Sequence, residues 1–282
     1  MAIAVVTDSC ACLPADLVDR YQIHVVPLSL MWDGQVYRDG VDITPDEFYE
    51  RLRSSSTYPS TSQPALGEFV DLYTHLSSRV EGIVSIHLGD ALSTTYQTAN
   101  LAAQQVKALV PVRVVDSTLA AIAEGFIALA AARAAVEEKD LEEVVSAVKA
   151  AIPRVGLFVA FETLEYIRKG GRLGEAAASL GTKLRIQPIF TLERGRLKPV
   201  GAARSQRRVA EQMLRLMAQV VGERPIAAST FHAGAPEKAA WLGEMVQERF
   251  HCREFFITEF TPVMGVHTGP GTFGVSYWIH EP

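Results

Sequence analysis

The chain has 282 residues, of which 48% are hydrophobic and 21% charged, enough apolar surface for one large or two medium-sized domains. Its formal net charge of −5 at pH 7 excludes the broad basic face on which nucleic-acid binding usually depends. The three cysteines, Cys10, Cys12 and Cys252, are too few for a disulfide framework. Only Asp8 lies near Cys10 and Cys12, so we expect no metal site and no cofactor.

The first ten residues, MAIAVVTDSC, contain no basic leader, and their apolar run reaches Asp8 at once. This pattern argues against a secretory signal. The longest apolar stretch, GFIALAAA at 125–132, is too short to span a bilayer. Free cysteines suit a reducing compartment, so we expect a cytoplasmic protein with no membrane span.

The first half of the sequence alternates β-branched runs with segments of helical period. Strands are predicted at 3–8, 23–28, 82–88 and 112–117. Helices are predicted at about 45–54, 64–78, 92–109 and 118–137. This alternation favours a parallel sheet covered on both faces.

The second half has a different pattern, and Pro153 marks the change by ending a helix before a new strand. The predicted elements are a strand at 155–161, a hairpin at 185–203 turning at Arg194–Gly195, helices at 205–222 and 236–249, and strands at 225–230, 254–259 and 271–279. We therefore predict a two-domain α/β fold. Residues 1–152 form an N-terminal parallel-sheet α/β domain, residues 153–282 form a C-terminal mixed α+β domain, and a ligand cleft lies between or beneath them.

The stretch YPSTSQPALGEF, residues 58–69, carries four hydroxyl groups and no charge before Glu68. Proline is favoured at the first position of a helix, and we assign Pro64 to that position. Thr61 and Ser62 then lie directly before a helix N-terminus, where free backbone amides attract anions.

Ser93 and Thr94 precede a second predicted helix in the same way. Helix capping is the simpler interpretation of a serine taken alone. If the two hydroxyl-bearing segments meet in space, however, they form an anion site with no fixed positive charge. Such a site suits a singly charged carboxylate better than a polyphosphate, which recruits Lys, Arg or a metal.

Nucleophilic catalysis is the alternative, with Ser93 acting beside His267 and either Asp116 or Asp8. The sequence around the serine, GDALSTTYQ, lacks the G-x-S-x-G turn of many hydrolases. GPGTFG at 269–274 matches a dinucleotide-binding spacing, but only eight residues follow it and they form a predicted strand. A lone histidine such as His267 is more often structural than catalytic.

Basic residues are concentrated in RKGGRLG at 168–174, and Arg204, Arg207 and Arg208 follow later in the chain. Two interpretations remain open for this group. It is either a solvated turn and helix face, or a loop that docks a partner or contacts an anion.

Several motifs together resemble the DegV family of bacterial fatty acid-binding proteins. The matching stretches are TDS at 7–9, STSQP at 60–64, LSTTYQTA at 92–99, VVDS at 114–117, LEYIRKGGRLG at 164–174, FHAG at 231–234 and GVHTGPGTFGV at 265–275. They follow the family's order over nearly the whole chain. Thr94 departs from the pattern, since the family often has glycine in that position.

The resemblance implies a two-domain α/β fold with one long-chain fatty acid buried between the domains. Thr61 and Ser93 correspond to residues that hydrogen-bond the acyl carboxylate, with Ser62 and Thr94 in the same two motifs. His267 corresponds to a histidine of the same hydrogen-bond network. The resemblance thus implies a non-catalytic lipid carrier that serves phospholipid metabolism.

The resemblance also implies a protein partner, a fatty acid kinase that phosphorylates the bound fatty acid to an acyl phosphate. Arg172 and Arg204 are similar to family positions associated with docking to that kinase. For Arg172 a second role is open, because the KGGRLG loop is also suited to cover the acyl tail. Transient contact with a membrane surface is compatible with this role and needs no membrane span.

Overall fold

The structure is a computed structural model, and it describes residues 2–174 and 186–280. The strands in these ranges are β1 (Ile3–Asp8), β2 (His24–Val26), β3 (Ser29–Trp32), β4 (Gln35–Arg38), β5 (Ser60–Ser62), β6 (Gly82–His87), β7 (Val112–Asp116), β8 (Val155–Ala160), β9 (Gln187–Glu193), β10 (Arg196–Ala203), β11 (Ile226–His232), β12 (Cys252–Glu259) and β13 (Phe273–Ile279). The helices are α1 (Ala15–Tyr21), α2 (Pro45–Ser54), α3 (Leu66–Ser77), α4 (Thr95–Val106), α5 (Ile122–Val136), α6 (Leu141–Ala151), α7 (Glu165–Lys169), α8 (Gln206–Val221), α9 (Pro236–Arg249) and α10 (Pro262–Thr268).

The N-terminal half, up to residue 152, contains a four-stranded parallel sheet in the order β2-β1-β6-β7. Every residue of β6 is buried, as expected for a parallel strand with helices on both faces. Phe69 and Tyr73 of α3 pack on one face, while α5 and α6 contact the other. The predicted parallel sheet is confirmed.

The C-terminal half, from residue 153, contains a six-stranded mixed sheet in the order β10-β9-β8-β13-β11-β12. Its β9–β10 hairpin turns at Arg194–Gly195, as predicted, although Arg185 at the start of the predicted segment lies outside the described residues. Both turn residues have positive φ, 51° and 75°, the backbone of the type I′ turns that suit two-residue hairpins.

The two halves share one apolar core. Helix α5 contacts β1 of the parallel sheet and also β8 and β13 of the mixed sheet. Its residues are almost all buried, and Phe126 lies 6.3 Å from Trp278, measured between ring centroids. The two large sheets fall on either side of the proposed boundary at 152/153, whose position stays a prediction.

A third, small sheet in the order β4-β3-β5 was not predicted. Strand β5 contains Thr61 and Ser62, and it pairs antiparallel with β3. The assignment of Pro64 to the first helical position was therefore wrong. Helix α3 begins at Leu66, because the Glu68 carboxylate accepts a hydrogen bond from the amide of Ala65 and so caps the helix N-terminus at that residue.

Two further elements near the cavity differ from the prediction. Helix α4 begins at Thr95 rather than 92, because Gly89 first accepts the amides of Leu92 and Ser93 in a tight turn. Helix α10, which carries His267, was missed. It is only seven residues long and contains Gly265, where a side chain would collide with the ring of Phe48.

Candidate functional site

A cavity of about 330 Å³ lies between the two halves. Most of its wall is apolar and comes from both large sheets and their loops. The apolar lining consists of Leu28, Leu88, Ala91, Leu92, Ala120, Ala121, Leu157, Val159, Phe161, Ile167, Leu192, Leu197, Phe231, Phe260, Val263 and Met264. The volume falls within the range of about 300–1,000 Å³ that is usual for small-molecule sites.

Segments of the two halves also contact each other next to the cavity. The hairpin tip at Gly195 contacts the loop after β6, where a Cβ built on Gly89 would lie 3.3 Å from the Gly195 Cα. Tyr58, just before β5, donates its hydroxyl to the Val266 carbonyl of α10. Both contacts join a segment of the N-terminal half to one of the C-terminal half.

Thr61, Ser62, Ser93, Thr94 and His267, the five residues predicted to bind a carboxylate, all line this cavity. The structure therefore brings the two hydroxyl-bearing segments together with the histidine. Ser93 hydrogen-bonds Thr95, through the Thr95 hydroxyl at 2.9 Å and its amide at 3.3 Å. Ser62 donates to the Gln63 carbonyl at 3.1 Å, and the side chain of Thr94 is exposed.

His267 is fixed between Thr61 and Gly170. Its Nε2 lies 2.8 Å from the Thr61 hydroxyl oxygen. On the other side of the ring, a Cβ built on Gly170 would overlap Nδ1. Among the described residues, no group hydrogen-bonds the buried Nδ1 atom.

Burial lowers the pKa of His267 to about 4, and the charge of Arg172 adds to this effect. The imidazole is therefore neutral near pH 7. We assign the proton to Nε2, because an unpaired buried acceptor at Nδ1 costs less than an unpaired N–H. Nε2 then donates to Thr61, which leaves the Thr61 hydroxyl hydrogen free for a ligand oxygen.

Arg172 also lines the cavity and is half-buried. Its Nε donates to the Leu92 carbonyl at 3.1 Å, and its Nη1 donates to the Gly170 carbonyl. Burial lowers the pKa of this guanidinium, which nevertheless stays charged at neutral pH. The expected site without a fixed positive charge is thus corrected by the structure. Arg204, by contrast, is exposed and lies outside the cavity lining.

The residues that would form a catalytic triad in the alternative hydrolase hypothesis hydrogen-bond to other groups. Ser93 pairs with Thr95 and His267 with Thr61. Asp116 accepts the amides of Asp90 and Thr118. Within the described part of the chain, no hydrogen bond joins Ser93, His267 and an aspartate into a triad.

A different Ser-His-Asp arrangement lies inside the parallel sheet. The Ser85 hydroxyl is 2.7 Å from Nε2 of His87, whose Nδ1 is 3.0 Å from the Asp8 carboxylate. All three are fully buried, and Tyr73 donates its hydroxyl to Ser85 at 2.8 Å. None of the four lines the cavity, so substrate has no access to this serine.

This buried network supports the cavity wall. The Asp8 carboxylate accepts the amides of Cys10 and Leu88, two residues of the lining. Sequence reasoning missed the network, although the SIH tripeptide places Ser85 and His87 on one face of a strand.

The described residues contain no group of three His, Cys, Asp or Glu side chains arranged to bind a metal ion. Across residues 2–174 and 186–280, every helix is too short or too polar to cross a membrane.

Comparison with known proteins identifies the family. The family model described as an uncharacterised protein of the DegV family matches residues 2–280. The chain belongs to the DegV family. A DegV domain-containing protein of Mycobacterium bovis is 36% identical over 278 residues, which cover 98% of this chain and 96% of the relative. Protein DegV of Bacillus subtilis is 31% identical over 286 residues, with 98% and 99% covered.

Solved DegV structures have the same fold. A Thermus thermophilus DegV family protein, described as fatty acid binding, gives a TM-score of 0.93 at 33% identity and covers 99% of this chain and 100% of its own. The Bacillus subtilis DegV structure, described as a fatty acid binding protein, gives 0.92 at 30% identity with the same coverage. These likenesses confirm the predicted DegV family and α/β fold class.

Proposed function

We propose that this DegV protein binds a long-chain fatty acid, with the acyl chain in the cavity and the carboxylate at Thr61, Ser93 and His267. The observation that carries the proposal is the cavity itself. An apolar wall formed by both halves meets one cluster of hydroxyl, imidazole and guanidinium groups. The fatty acid binding of the Thermus and Bacillus relatives supports the same ligand class.

The two ends of the ligand contribute differently to binding. Burying roughly fifteen methylene groups at about 0.8 kcal/mol each gives on the order of 12 kcal/mol before ordering costs. Hydrogen bonds to an ionised head group add about 1.5–3 kcal/mol each. The acyl chain therefore supplies most of the affinity, and the head group fixes the orientation.

The proposal includes a carrier role without catalysis. The protein would present its ligand to a fatty acid kinase, which forms the acyl phosphate. Arg204 is exposed and so accessible to such a partner, in line with the docking role that the family resemblance implies. An exposed guanidinium gives oriented, charge-assisted contacts to acidic groups.

Native mass spectrometry of freshly purified protein tests the ligand class. We expect a bound mass equal to one intact long-chain fatty acid. Protein that carries no lipid and also fails to bind added fatty acid in a calorimeter would contradict the proposal. Turnover of p-nitrophenyl esters that disappears in Ser93→Ala would instead favour a hydrolase, whereas a carrier gives no turnover in either protein.

A further inference from the structure

We propose that the free edge of β12 is a homodimer interface, at which β12 of one chain pairs antiparallel with β12 of a second copy. The two six-stranded mixed sheets would then continue into each other across a two-fold axis. No residue of β12 lines the cavity, so the inference concerns a different surface from the proposed fatty acid site.

Strand β12 lies at one end of the mixed sheet and has eight residues. It pairs parallel with β11, and within residues 2–174 and 186–280 no strand pairs with its other edge. A free edge presents a row of N–H and C=O groups that can pair with the strand of another chain. The length of β12 makes it a large template for such pairing.

The opposite end of the same sheet shows how an edge is usually protected. There β10 contains Pro199, which has no N–H to donate, and its ladder with β9 shifts register between Pro199 and Gly201. Lys198 adds an exposed charge. Strand β12 contains neither proline nor lysine, its ladder with β11 is regular from Glu254 onward, and Ile257 is 48% exposed. Its edge therefore lacks the features that prevent pairing with other chains.

The side chains of β12 complement a second copy of the same strand. With Phe256 opposite Phe256 of the second copy, Phe255 faces Ile257 and Arg253 faces Glu259, each twice because of the two-fold axis. Aromatic pairs with β-branched residues and pairs of opposite charge both stabilise antiparallel strands. Arg253 is exposed, and no described carboxylate forms an ion pair with it. No neighbouring register, with Phe255 or Ile257 opposite its own copy, brings these two charges together.

A buried hydroxyl group in β12 independently indicates a missing partner. Thr258 is 6% exposed, and its hydroxyl has no hydrogen-bond partner among the described residues. Side chains alternate along a strand, so Thr258 shares a face with Glu254, which binds Arg133 through Oε2 at 2.6 Å. In the proposed register Thr258 lies opposite Glu254 of the second copy, whose Oε1 can accept its hydrogen. The dimer would thus satisfy a polar group that the single chain leaves unpaired.

Sedimentation velocity of the wild type and of Ile257→Lys tests the interface. We expect the wild-type mass to rise from the 30.8 kDa of one chain toward twice that value. The rise should occur between about 1 and about 200 μM protein. In Ile257→Lys a charge faces Phe255 of the second copy, so the dissociation constant should increase at least about tenfold. Val36→Lys is the matched control, because Val36 is 67% exposed on β4, and it should dimerise as the wild type does.

Cross-linking tests the register. In a Cys252→Ser background, Phe256→Cys places two cysteines opposite each other, and mild oxidation should link them into a disulfide dimer. Ile257→Cys is the control in the same background. Its two cysteines would be offset by two residues along the strands, beyond the reach of about 7 Å between Cα atoms, so we expect no link.

Each outcome decides for or against the interface. A wild type that stays monomeric over the whole concentration range overturns the proposal, whatever its affinity for fatty acid. A dimer that Ile257→Lys leaves unchanged shows that another surface forms it and overturns the proposal as well. Ile257→Cys that cross-links as readily as Phe256→Cys overturns the register. If Phe256→Cys does not fold, Ile257→Lys still decides, because the side chain that it replaces is exposed.

Discussion

At the scale of single residues, the Thr61–His267 pair orients a hydroxyl group toward the cavity. The neutral imidazole donates a hydrogen bond to the Thr61 oxygen across 2.8 Å. The Thr61 hydroxyl can therefore donate its own hydrogen to a ligand oxygen. His267 acts on the ligand through Thr61 in this arrangement and is a positioning residue. The histidine was recognisable from its motif, but its partner was not, because 206 residues separate the two in sequence.

Removing the hydroxyl of Thr61 or Ser93 should weaken fatty acid binding. We expect Thr61→Ala and Ser93→Ala each to cost about 1–3 kcal/mol, measured by calorimetry, since an ionised oxygen loses a donor. The double variant should lose less than the sum, because both groups serve one carboxylate. Ser62→Ala is the control, and it should have a smaller effect because that hydroxyl already donates to Gln63. Strictly additive losses would show that the two hydroxyls act at separate places.

Gly170 tests whether the position of the imidazole matters. In Gly170→Ala the new methyl group would overlap Nδ1 of His267, so the ring cannot keep its present position between Gly170 and Thr61. We expect weaker fatty acid binding and a pKa of His267 that rises from about 4 toward its ordinary value of 6.5 as the ring leaves its buried position. An NMR titration of the imidazole protons measures this pKa.

Gly67→Ala is the matched control, because a Cβ there meets nothing within 4 Å. Replacing this glycine of α3 by alanine should stabilise the helix by roughly 0.5–1 kcal/mol and leave fatty acid binding unchanged. A Gly170→Ala protein with wild-type affinity and an unchanged His267 pKa would contradict the positioning role.

At the scale of secondary structure, α5 brings a carboxyl group into the core beside the parallel sheet. Glu124 is fully buried and accepts a hydrogen bond from the Thr7 hydroxyl at 3.2 Å. Burial raises the pKa of Glu124 well above its ordinary value, and the nearby charge of Asp8 raises it further. The folded protein therefore holds this proton to a higher pH than the unfolded chain does.

Stability should consequently fall as pH rises. A group with a raised folded-state pKa stabilises fully below its unfolded pKa, about 4.5 here, and this contribution is lost on the way up to the folded pKa. In Glu124→Gln, which has no proton to release, thermal denaturation between pH 5 and 9 should show a flatter profile. The melting temperature of the variant, relative to that of the wild type, should therefore increase as the pH rises toward 9. Parallel profiles would mean that Glu124 is already ionised in the folded state.

Local patterns decided which elements could be predicted. The β9–β10 hairpin follows from two adjacent strands and a turn with glycine at its second residue, all within one short segment. Strand β5 exists only because β3, some thirty residues earlier, offers an open edge. Helix α10 is equally dependent on distant partners, since it packs against Phe48 and Tyr49 of α2. The site residues were therefore recognisable as motifs, while the elements that carry them were misassigned.

At the scale of the whole molecule, the cavity belongs to neither half alone. Its lining alternates between segments on both sides of residue 152, and Gly89 and Gly195 approach each other beside it. No pattern within either half predicts this contact, because each glycine is ordinary in its own turn. A ligand in the cavity should consequently stabilise both halves together.

Hydrogen exchange with and without added oleic acid measures this coupling. At a ligand concentration of about 100 times Kd, binding should stabilise the protein by about 2.7 kcal/mol and raise the melting temperature. Slower amide exchange is expected both in the loop at 89–93 and in the hairpin at 192–197, because the ligand contacts both. Protection limited to one half would contradict a shared cavity.

The position of β13 in the mixed sheet has a consequence for how the protein is made. This strand lies between β8 and β11 and pairs with both, although the chain reaches it after each of them. A growing chain that has not yet produced Phe273 leaves two strand edges open, and open edges readily pair with other chains. Leu157 on β8 and Phe231 on β11, two residues of the cavity wall, stay apart for the same interval. An interrupted chain would thus be a target for chaperones and proteases, and lipid would enter only a protein whose synthesis had passed residue 279.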